Sequence, residues 1–524
     1  MPVGALAERA AARHRDRTAV VGPDGDRTFA QLHDTALRLA NGLLAAGLRP
    51  GDRVLELLPN SCATLESDLA LALAGLVRVP LNPRLGAREW ERIADDCGAS
   101  ALVYGASFTD ESEALRTGLG EGRVVAAGDG PGLSLRDLVA HSPARRLAPV
   151  ADGSLAGLAY SSGTTGRPKG ALRTHRNRLA SARAMTDSVL GGSPRPDSVF
   201  LHAGPLMHTS GLFFLPFLAA GACQILLDHA DAESIVETVH DRRVTHTVLV
   251  PTMVARLLSL AGSPRARLSA LRMLAYAGAP MPTDHIRAAS ELLTPHLVQY
   301  YGLVEAMPPL TWLTSEDHAH GLAERPELLT SAGRPAPGVS LRIVDEEDAE
   351  VPDGRPGEVE VRGDMVMPGY WNAERRGDLG KVLRGGRLRT GDIGRLGEDG
   401  LLWLTDRVND MIITGGYNVY PREVEDSVTG LDGVTAAAVV GLPDPEWGQR
   451  VAVAYTCAPG LDVSSAAVLS HCRSVLPPHK RPKAAHRLAV MPLNATGKIS
   501  RRAVRDLLGE PGPGRSGRGT AQGA

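Results

Sequence analysis

The chain has 524 residues, with 57 Lys+Arg against 59 Asp+Glu and a formal net charge of −2; that length favours several structural units with proper cores. It lacks the basic excess that nucleic-acid or anionic-membrane binding demands. The five cysteines (62, 97, 223, 457 and 472) are far apart, odd in number and free of any CxxC pair, which argues against a disulfide framework or zinc site and suits a reducing, cytoplasmic setting.

In chain order, the first hundred residues alternate short β-branched runs with helical patterns. Strands are predicted at Thr18–Val21, Arg53–Leu58, Arg78–Leu81 and Leu102–Tyr104, and helices from Thr28 to about Ala46 and near Ala63–Leu76. This alternation indicates βα units on a parallel sheet. Thr28 followed by Gln31 forms a capping-box pattern that fixes the first helix's start. The stretch Gly128–Gly132 resembles a dinucleotide loop only superficially, because Pro131 interrupts the helix start, and it reads as a plain turn. The βα rhythm returns at His246–Val250, Thr252 to about Leu260, and Met273–Tyr276 running into Gly278-Ala279-Pro280. From Ser331 to Trp403 short strands broken by Gly and Pro (Leu341–Val344, Gly357–Val361, Leu401–Leu404) predict a helix-free, barrel-like unit. After Asp406 follow a strand Met411–Thr414, a helix from Pro421, strands Ala436–Val440 and Val451–Cys457, and a helix near Ser464–Val475. A boundary is placed at about 408, and the Gly/Pro/Ser/Arg-rich end is expected to be disordered.

The most apolar stretch, Leu212–Leu227, has 16 residues with Pro216 and Gly221 inside it, too short for a membrane span. The first twenty residues carry Glu8 and Asp16 and lack the apolar core of a secretory signal. Only five of the 57 basic residues are lysines: Lys169, Lys381, Lys480, Lys483 and Lys498. Arginine does not replace a compact ammonium on a thin stem, so each lysine merits individual attention.

Tyr160-Ser161-Ser162-Gly163-Thr164-Thr165-Gly166-Arg167-Pro168-Lys169-Gly170 packs hydroxyls, glycines and an ammonium into one anion-cradling segment. Followed by Thr174-His175-Arg176-Asn177, it resembles the phosphate-binding signature of the adenylate-forming superfamily of acyl-CoA and aryl-CoA synthetases, adenylation domains and luciferases. The resemblance runs from Leu81-Asn82-Pro83 to Asn494-Ala495-Thr496-Gly497-Lys498. It implies an α/β fold: a large domain (1–408) of two βα-layered subdomains plus a small β-barrel-like unit, a mobile smaller α+β domain (409–508), and a tail (509–524).

By the same resemblance, Tyr300, Tyr301 and Gly302 lie at the adenine, with Gly278, Ala279 and Pro280 on its other side. Glu305 and Thr165 hold Mg²⁺, Asp392 binds the ribose hydroxyls, and Arg407 reaches ribose or phosphate. Lys498 is the catalytic cation at the α-phosphate, with Lys169, Thr165 and Glu305 assisting. His208, Gly278, Leu303 and Met307 flank the acyl group, and Asn409 is the hinge. Gly415, Gly416, Trp447, Lys480 and Arg481 face CoA. Three positions depart from the family pattern: Val304 in place of Thr, Asn409 in place of Asp or Lys, and His479 in place of Phe or Tyr. Losing a hydroxyl that bonds a charged group costs about 1.5–3 kcal/mol.

The expectation is therefore an enzyme that uses ATP and Mg²⁺ to turn a carboxylic acid into an acyl-adenylate and then passes the acyl group to CoA. A homodimer is compatible with that class. The three departures keep open a second expectation, adenylation with an amine or carrier-protein thiol as acceptor, or with a small oxyanion such as nitrite activated instead. A non-catalytic nucleotide binder is disfavoured by the joint presence of Glu305, Asp392, Arg407 and Lys498.

Overall fold

The computed structural model describes residues 1–161, 168–260, 268–373, 382–407, 410–414, 417–445, 447–494 and 498–509. They form two compact units, one of Met1–Thr390 with Gly394–Leu404, the other of Gly391–Ile393 with Thr405 onward.

The large unit contains two mixed sheets. A seven-stranded sheet runs in the order Leu133–Ser134, Val124–Ala127, Ala101–Gly105, Arg53–Leu57, Val77–Pro80, Leu155–Ser161, Lys169–Thr174, parallel except at its last pair. A nine-stranded sheet has a parallel centre, Thr18–Gly22, Cys223–Leu226, Val199–His202, His246–Leu249, Met273–Ala277 and Leu297–Leu303, with antiparallel strands at both edges. Central parallel strands covered on both faces read as near-continuous apolar runs; Leu55, Leu57, Val77, Val79, Leu102 and Val103 are all buried, and the charged residues among them, Glu56 and Arg78, pair with each other.

The Phe29–Ala45 helix carries the expected capping box: Gln31 N donates to Thr28 Oγ1, and Thr28 N donates to Gln31 Oε1. Its Phe29, Leu32, Ala36, Leu39, Ala40 and Leu43 recur at helical spacing and are buried, largely against the Cys62–Ala74 helix. Cutting Leu39 to Ala would cost about 2–5 kcal/mol.

A five-stranded sheet is built on Ser340–Val344, Gly357–Arg362, Arg387–Leu396 and Leu383–Arg384, with a fifth strand from Leu402 beside Arg387–Leu396. Helical backbone at Ala373 and Val382 departs from the helix-free expectation; the flanking Gly and Pro residues concealed it. The Gly128–Gly132 stretch is a turn, as expected. The smaller unit has its own five-stranded sheet around the long antiparallel pair Val434–Asp444 and Gly448–Cys457, with helices Pro421–Thr429, Ser465–Val475 and Arg501–Gly509. No helix among the described residues is long and apolar enough to cross a membrane.

Burial pushes His175, His202 and His246 down from 6.5 to about 4, helped by nearby arginines at His175 and His246. Between those two values the unfolded chain binds more protons than the folded one. The stabilisation is therefore complete above pH 6.5 and lost as pH falls towards 4, at most about 3 kcal/mol per group. The urea midpoint should fall clearly between pH 7 and pH 5.5; an unchanged midpoint would show that these imidazoles do not limit stability.

Candidate functional site

The phosphate-loop motif lies on an antiparallel hairpin. Leu155–Ser161 leads into it and Lys169–Thr174 leads out, with Ser161 and Lys169 as register partners at its base. Ser162, Gly163, Thr164, Thr165 and Gly166 lie outside the described residues, as does the side chain of Ser161. The Thr174–Asn177 end of the motif is a helix cap. Thr174 N donates to Asn177 Oδ1 at 2.8 Å, Asn177 N donates to Thr174 Oγ1 at 3.1 Å, and the His175–Asp187 helix follows.

Asn177 reaches further. Its Nδ2 donates to the carbonyls of Asp364 at 2.7 Å and Val366 at 3.0 Å. The segment so held runs beside two sequence-predicted elements. Met367 N donates to the Glu305 carbonyl at 2.9 Å, Met307 N donates to the Met365 carbonyl at 3.1 Å, Leu172 N donates to the Gly369 carbonyl at 2.9 Å, and Trp371 N donates to the Gly170 carbonyl at 2.7 Å. Tyr370 thereby comes between Lys169 and Glu305: its ring centroid is 5.6 Å from Lys169 Nζ, and its hydroxyl donates to Glu305 Oε1 at 2.9 Å. Sequence reasoning missed Tyr370. The signal was the aromatic pair in Gly369-Tyr370-Trp371, a loop tip whose partners lie far away in sequence.

Glu305 stands at the hairpin turn between Leu297–Leu303 and Ala306–Leu313. The strand's pleat separates two residues that the sequence grouped. Tyr300 points into the core, fully buried with its ring edge-on to Phe213 at 6.2 Å, whereas Tyr301 is half-buried on the other face. Of the pair, only Tyr301 remains a candidate for stacking on a base. Gly278 follows the Met273–Ala277 strand with φ +89°, a conformation side chains rarely adopt, and Ala279 and Pro280 continue the turn.

His208 and Met307 meet at a cavity of about 60 Å³ that Gly278 and Leu303 do not line. The His208 loop is pinned by Asn60, whose Nδ2 donates to the Gly204 carbonyl at 3.0 Å and whose Oδ1 accepts from Leu206 N at 2.9 Å. Behind it Ser210 contacts buried His202 Nδ1 at 2.9 Å, and Gln224 Oε1 holds His202 Nε2 at 3.0 Å.

In the smaller unit three residues from separate segments assemble. Arg407 Nε donates to Asp392 Oδ1 at 3.0 Å. The Lys498 ammonium is lowered by burial and then by Arg407, with Asp392 opposing, although the residue keeps an exposed surface. Its backbone is fixed by Asn494, which donates to the Lys498 carbonyl at 2.7 Å and accepts from Lys498 N at 3.0 Å through Oδ1. Asp406 is a scaffold residue: its carboxylate accepts from Arg407 N, Arg422 N and Arg501, and Arg501 also grips Glu425 with two bonds of 2.9 and 2.6 Å.

The expected acceptor residues divide. Lys480 is held on Glu423 at 2.6 Å and Arg481 Nε donates to the Leu476 carbonyl, so both have structural partners. Trp447 is exposed with Lys483 Nζ 5.7 Å over its ring. His479 stacks on Tyr417 at 5.0 Å and 26°, so the imidazole packs as a flat ring there. Gly415, Gly416 and the hinge candidate Asn409 lie outside the described residues.

The family model described as AMP-binding enzyme matches residues 7–371, and that of the AMP-binding enzyme C-terminal domain matches residues 423–498. The chain is 38% identical over 494 residues to a feruloyl-CoA synthase of an Amycolatopsis species, covering 92% of this chain and 94% of that protein. It is 33% identical over 510 residues to an indoleacetate–CoA ligase of Aromatoleum aromaticum, covering 96% and 97%. The solved structure of the amide bond synthetase McbA from Marinactinospora thermotolerans superposes with a TM-score of 0.86 at 32% identity, covering 97% of this chain and all 100% of that one.

The Tyr370 hydroxyl orients the Glu305 carboxylate. With Glu305 as the expected Mg²⁺ ligand, Tyr370→Phe should raise the Mg²⁺ concentration for half-maximal ATP–pyrophosphate exchange about 10-fold, the cost of losing a ligand-orienting hydrogen bond. An unaltered Mg²⁺ dependence would remove Tyr370 from this role.

Proposed function

The chain belongs to the AMP-binding enzyme family, and from that premise we infer that it is an ATP-dependent acid–CoA ligase. It joins a carboxylic acid to AMP with release of pyrophosphate, then passes the acyl group to the CoA thiol. The observation that carries this reading is the grouping of Asp392, Arg407 and Lys498, three residues remote in sequence whose chemistry suits a ribose diol and a phosphate.

In this reading the acid's carboxylate attacks the α-phosphorus of ATP in line, and the Lys498 ammonium stabilises the charge that builds on both. Lys169 pairs with the outer phosphates, and Thr165 is proposed to act with it on the metal and phosphates. Asp392 accepts from the ribose hydroxyls, Tyr301 and the Gly278 turn bracket the adenine, and His208 and Met307 flank the acid. Magnesium usually binds one or two carboxylates together with substrate phosphates. Glu305 offers one, already oriented by Tyr370, and among the described residues no group of three or more acidic, His or Cys side chains could hold a metal by itself. Magnesium held there would offset negative charge on the phosphates.

Residues 1–408 are proposed as the large domain and 409–508 as the mobile one that carries Lys498 and pivots at Asn409. CoA would run past Gly415 and Gly416 towards Trp447, whose neighbour Lys483 makes a better phosphate partner than the paired Lys480 and Arg481. Five free cysteines support a reducing, cytoplasmic setting. The likeness to an amide bond synthetase favours one second reading, in which an amine takes the acyl group.

A panel of aliphatic and aromatic acids should reveal substrates by ATP–pyrophosphate exchange, and product mass with CoA should show the thioester. Exchange with no acid refutes adenylation; exchange with amide but no thioester favours the second reading. Lys498→Ala should cut exchange about 10²–10³-fold, typical of losing one charge-stabilising donor, while ATP binding measured by titration stays close to wild type. Retained exchange would refute the lysine's role.

A further inference from the structure

The cavity beside His208 and Met307 contains an arginine that the adenylation chemistry does not use. Arg78, Arg173 and Arg178 all line it, with Leu206 and Leu212 on its apolar side. Two of the guanidiniums are neutralised. Arg178 holds Asp68 with two bonds of 2.9 and 2.6 Å, and Arg78 pairs with Glu56 while lying 3.6 Å from the same Asp68. Two cations against two carboxylates leave Arg173 as a third positive charge.

Arg173, on the Lys169–Thr174 strand, makes one long contact, Nη2 donating to the Val304 carbonyl at 3.4 Å. Its Nε is sealed from solvent and has no hydrogen-bond partner among the described residues. No carboxylate of the described residues lies within 4 Å of it. Neighbouring His175 is neutral near pH 7, since burial pushes it down to about 4. Burial, with Arg178 and Arg78 behind it and Glu305 opposing, lowers Arg173 to about 10, which leaves it fully cationic near neutral pH. The side chain as a whole is only partly buried, but a guanidinium whose Nε is sealed and unpaired, with no carboxylate partner, is costly to keep, and a leucine or methionine would suit the apolar wall better. The arrangement makes sense when a ligand supplies the missing anion.

Resting on the acid-activating reading, in which His208 and Met307 flank the substrate, we propose that Arg173 is a specificity-determining residue. The acid carries a second anionic group, remote from the carboxylate that is activated, and that group docks on the Arg173 guanidinium inside this cavity. The space of about 60 Å³ has room for roughly four waters, the size of a carboxylate with one or two methylenes. A guanidinium presents two parallel N–H donors to such a group.

The test compares acids of one carbon skeleton ending either in a methyl group or in a second carboxylate. Wild type should favour the diacid in ATP–pyrophosphate exchange, and Arg173→Met should lower the diacid-to-monoacid ratio of kcat/KM about 10–100-fold, mostly through KM. Arg173→Lys keeps the charge without the fork and should fall between them, which keeps the test open should the methionine variant fold poorly. A separate calorimetric titration of the same diacids into wild-type protein without ATP should saturate, and the methionine variant should bind much more weakly. A ratio unchanged within two-fold, or no diacid binding in the titration, overturns the proposal even where monoacid exchange stands. Exchange with no acid at all, beside a saturating titration, would instead refute the adenylation reading and leave Arg173 as an anion site.

Discussion

The side-chain amide of Asn177 satisfies two backbone requirements at once. As partner of Thr174 it closes the first turn of the His175–Asp187 helix, and its Nδ2 serves the carbonyls of Asp364 and Val366. Those carbonyls belong to the segment whose neighbouring residues hold Glu305 and Gly170. Unpaired peptide groups at such depth would each cost about 1–3 kcal/mol. The amide therefore locks the distance between the hairpin that carries Lys169 and the turn that carries Glu305. A Ser at 177 could cap the helix, but it lacks the reach and second donor to hold the other segment.

The smaller unit solves a different problem, placing a lysine next to an arginine. Arg501 gathers Glu425, Asp410 and Asp406 around one guanidinium, and Asp406 in turn accepts from the backbone N–H of Arg407. Arg407 is thus oriented from its main chain, and its side chain is left to Asp392. Asp392 screens the repulsion between Arg407 and the Lys498 ammonium. Buried charge networks of this kind add little net stability; here the network fixes orientation, which electrostatic catalysis requires before the reaction begins.

The sequence made the βα alternation, the capping box at Thr28 and the strand–helix order of the last hundred residues legible, because each rests on local periodicity. It also marked Glu305, Asp392, Arg407 and Lys498, whose neighbours repeat a family pattern. Phase within a strand was not legible: Tyr300 and Tyr301 are identical side chains in adjacent positions, and only the pleat and Phe213 behind it decide which one is core. Tyr370 was silent because its importance comes from contacts with residues 169 and 305, far from its own neighbours in the chain. Lys480 was expected to face CoA, and nothing local showed that Glu423, 57 positions away, holds its ammonium. Arg173 sits in an arginine-rich chain, where nothing local separates an unneutralised guanidinium from a paired one.

Lysine scarcity gains meaning from these contacts only in part. The ring contacts of Lys169 and Lys483 and the Glu423 bond of Lys480 are interactions an arginine also makes. At Lys498 the substitution is not equivalent. A guanidinium there would set two obligate, bulky cations against the single carboxylate of Asp392, and its charge would be spread over a plane. The ammonium is a compact point charge whose pKa yields to burial and to Arg407, so it tolerates that neighbour while it remains able to approach a phosphate oxygen head-on. Arg178 and Arg501 each grip a carboxylate with two parallel bonds, a task that suits the guanidinium fork; Lys498 offers instead the one small positive charge that the proposed phosphate chemistry calls for.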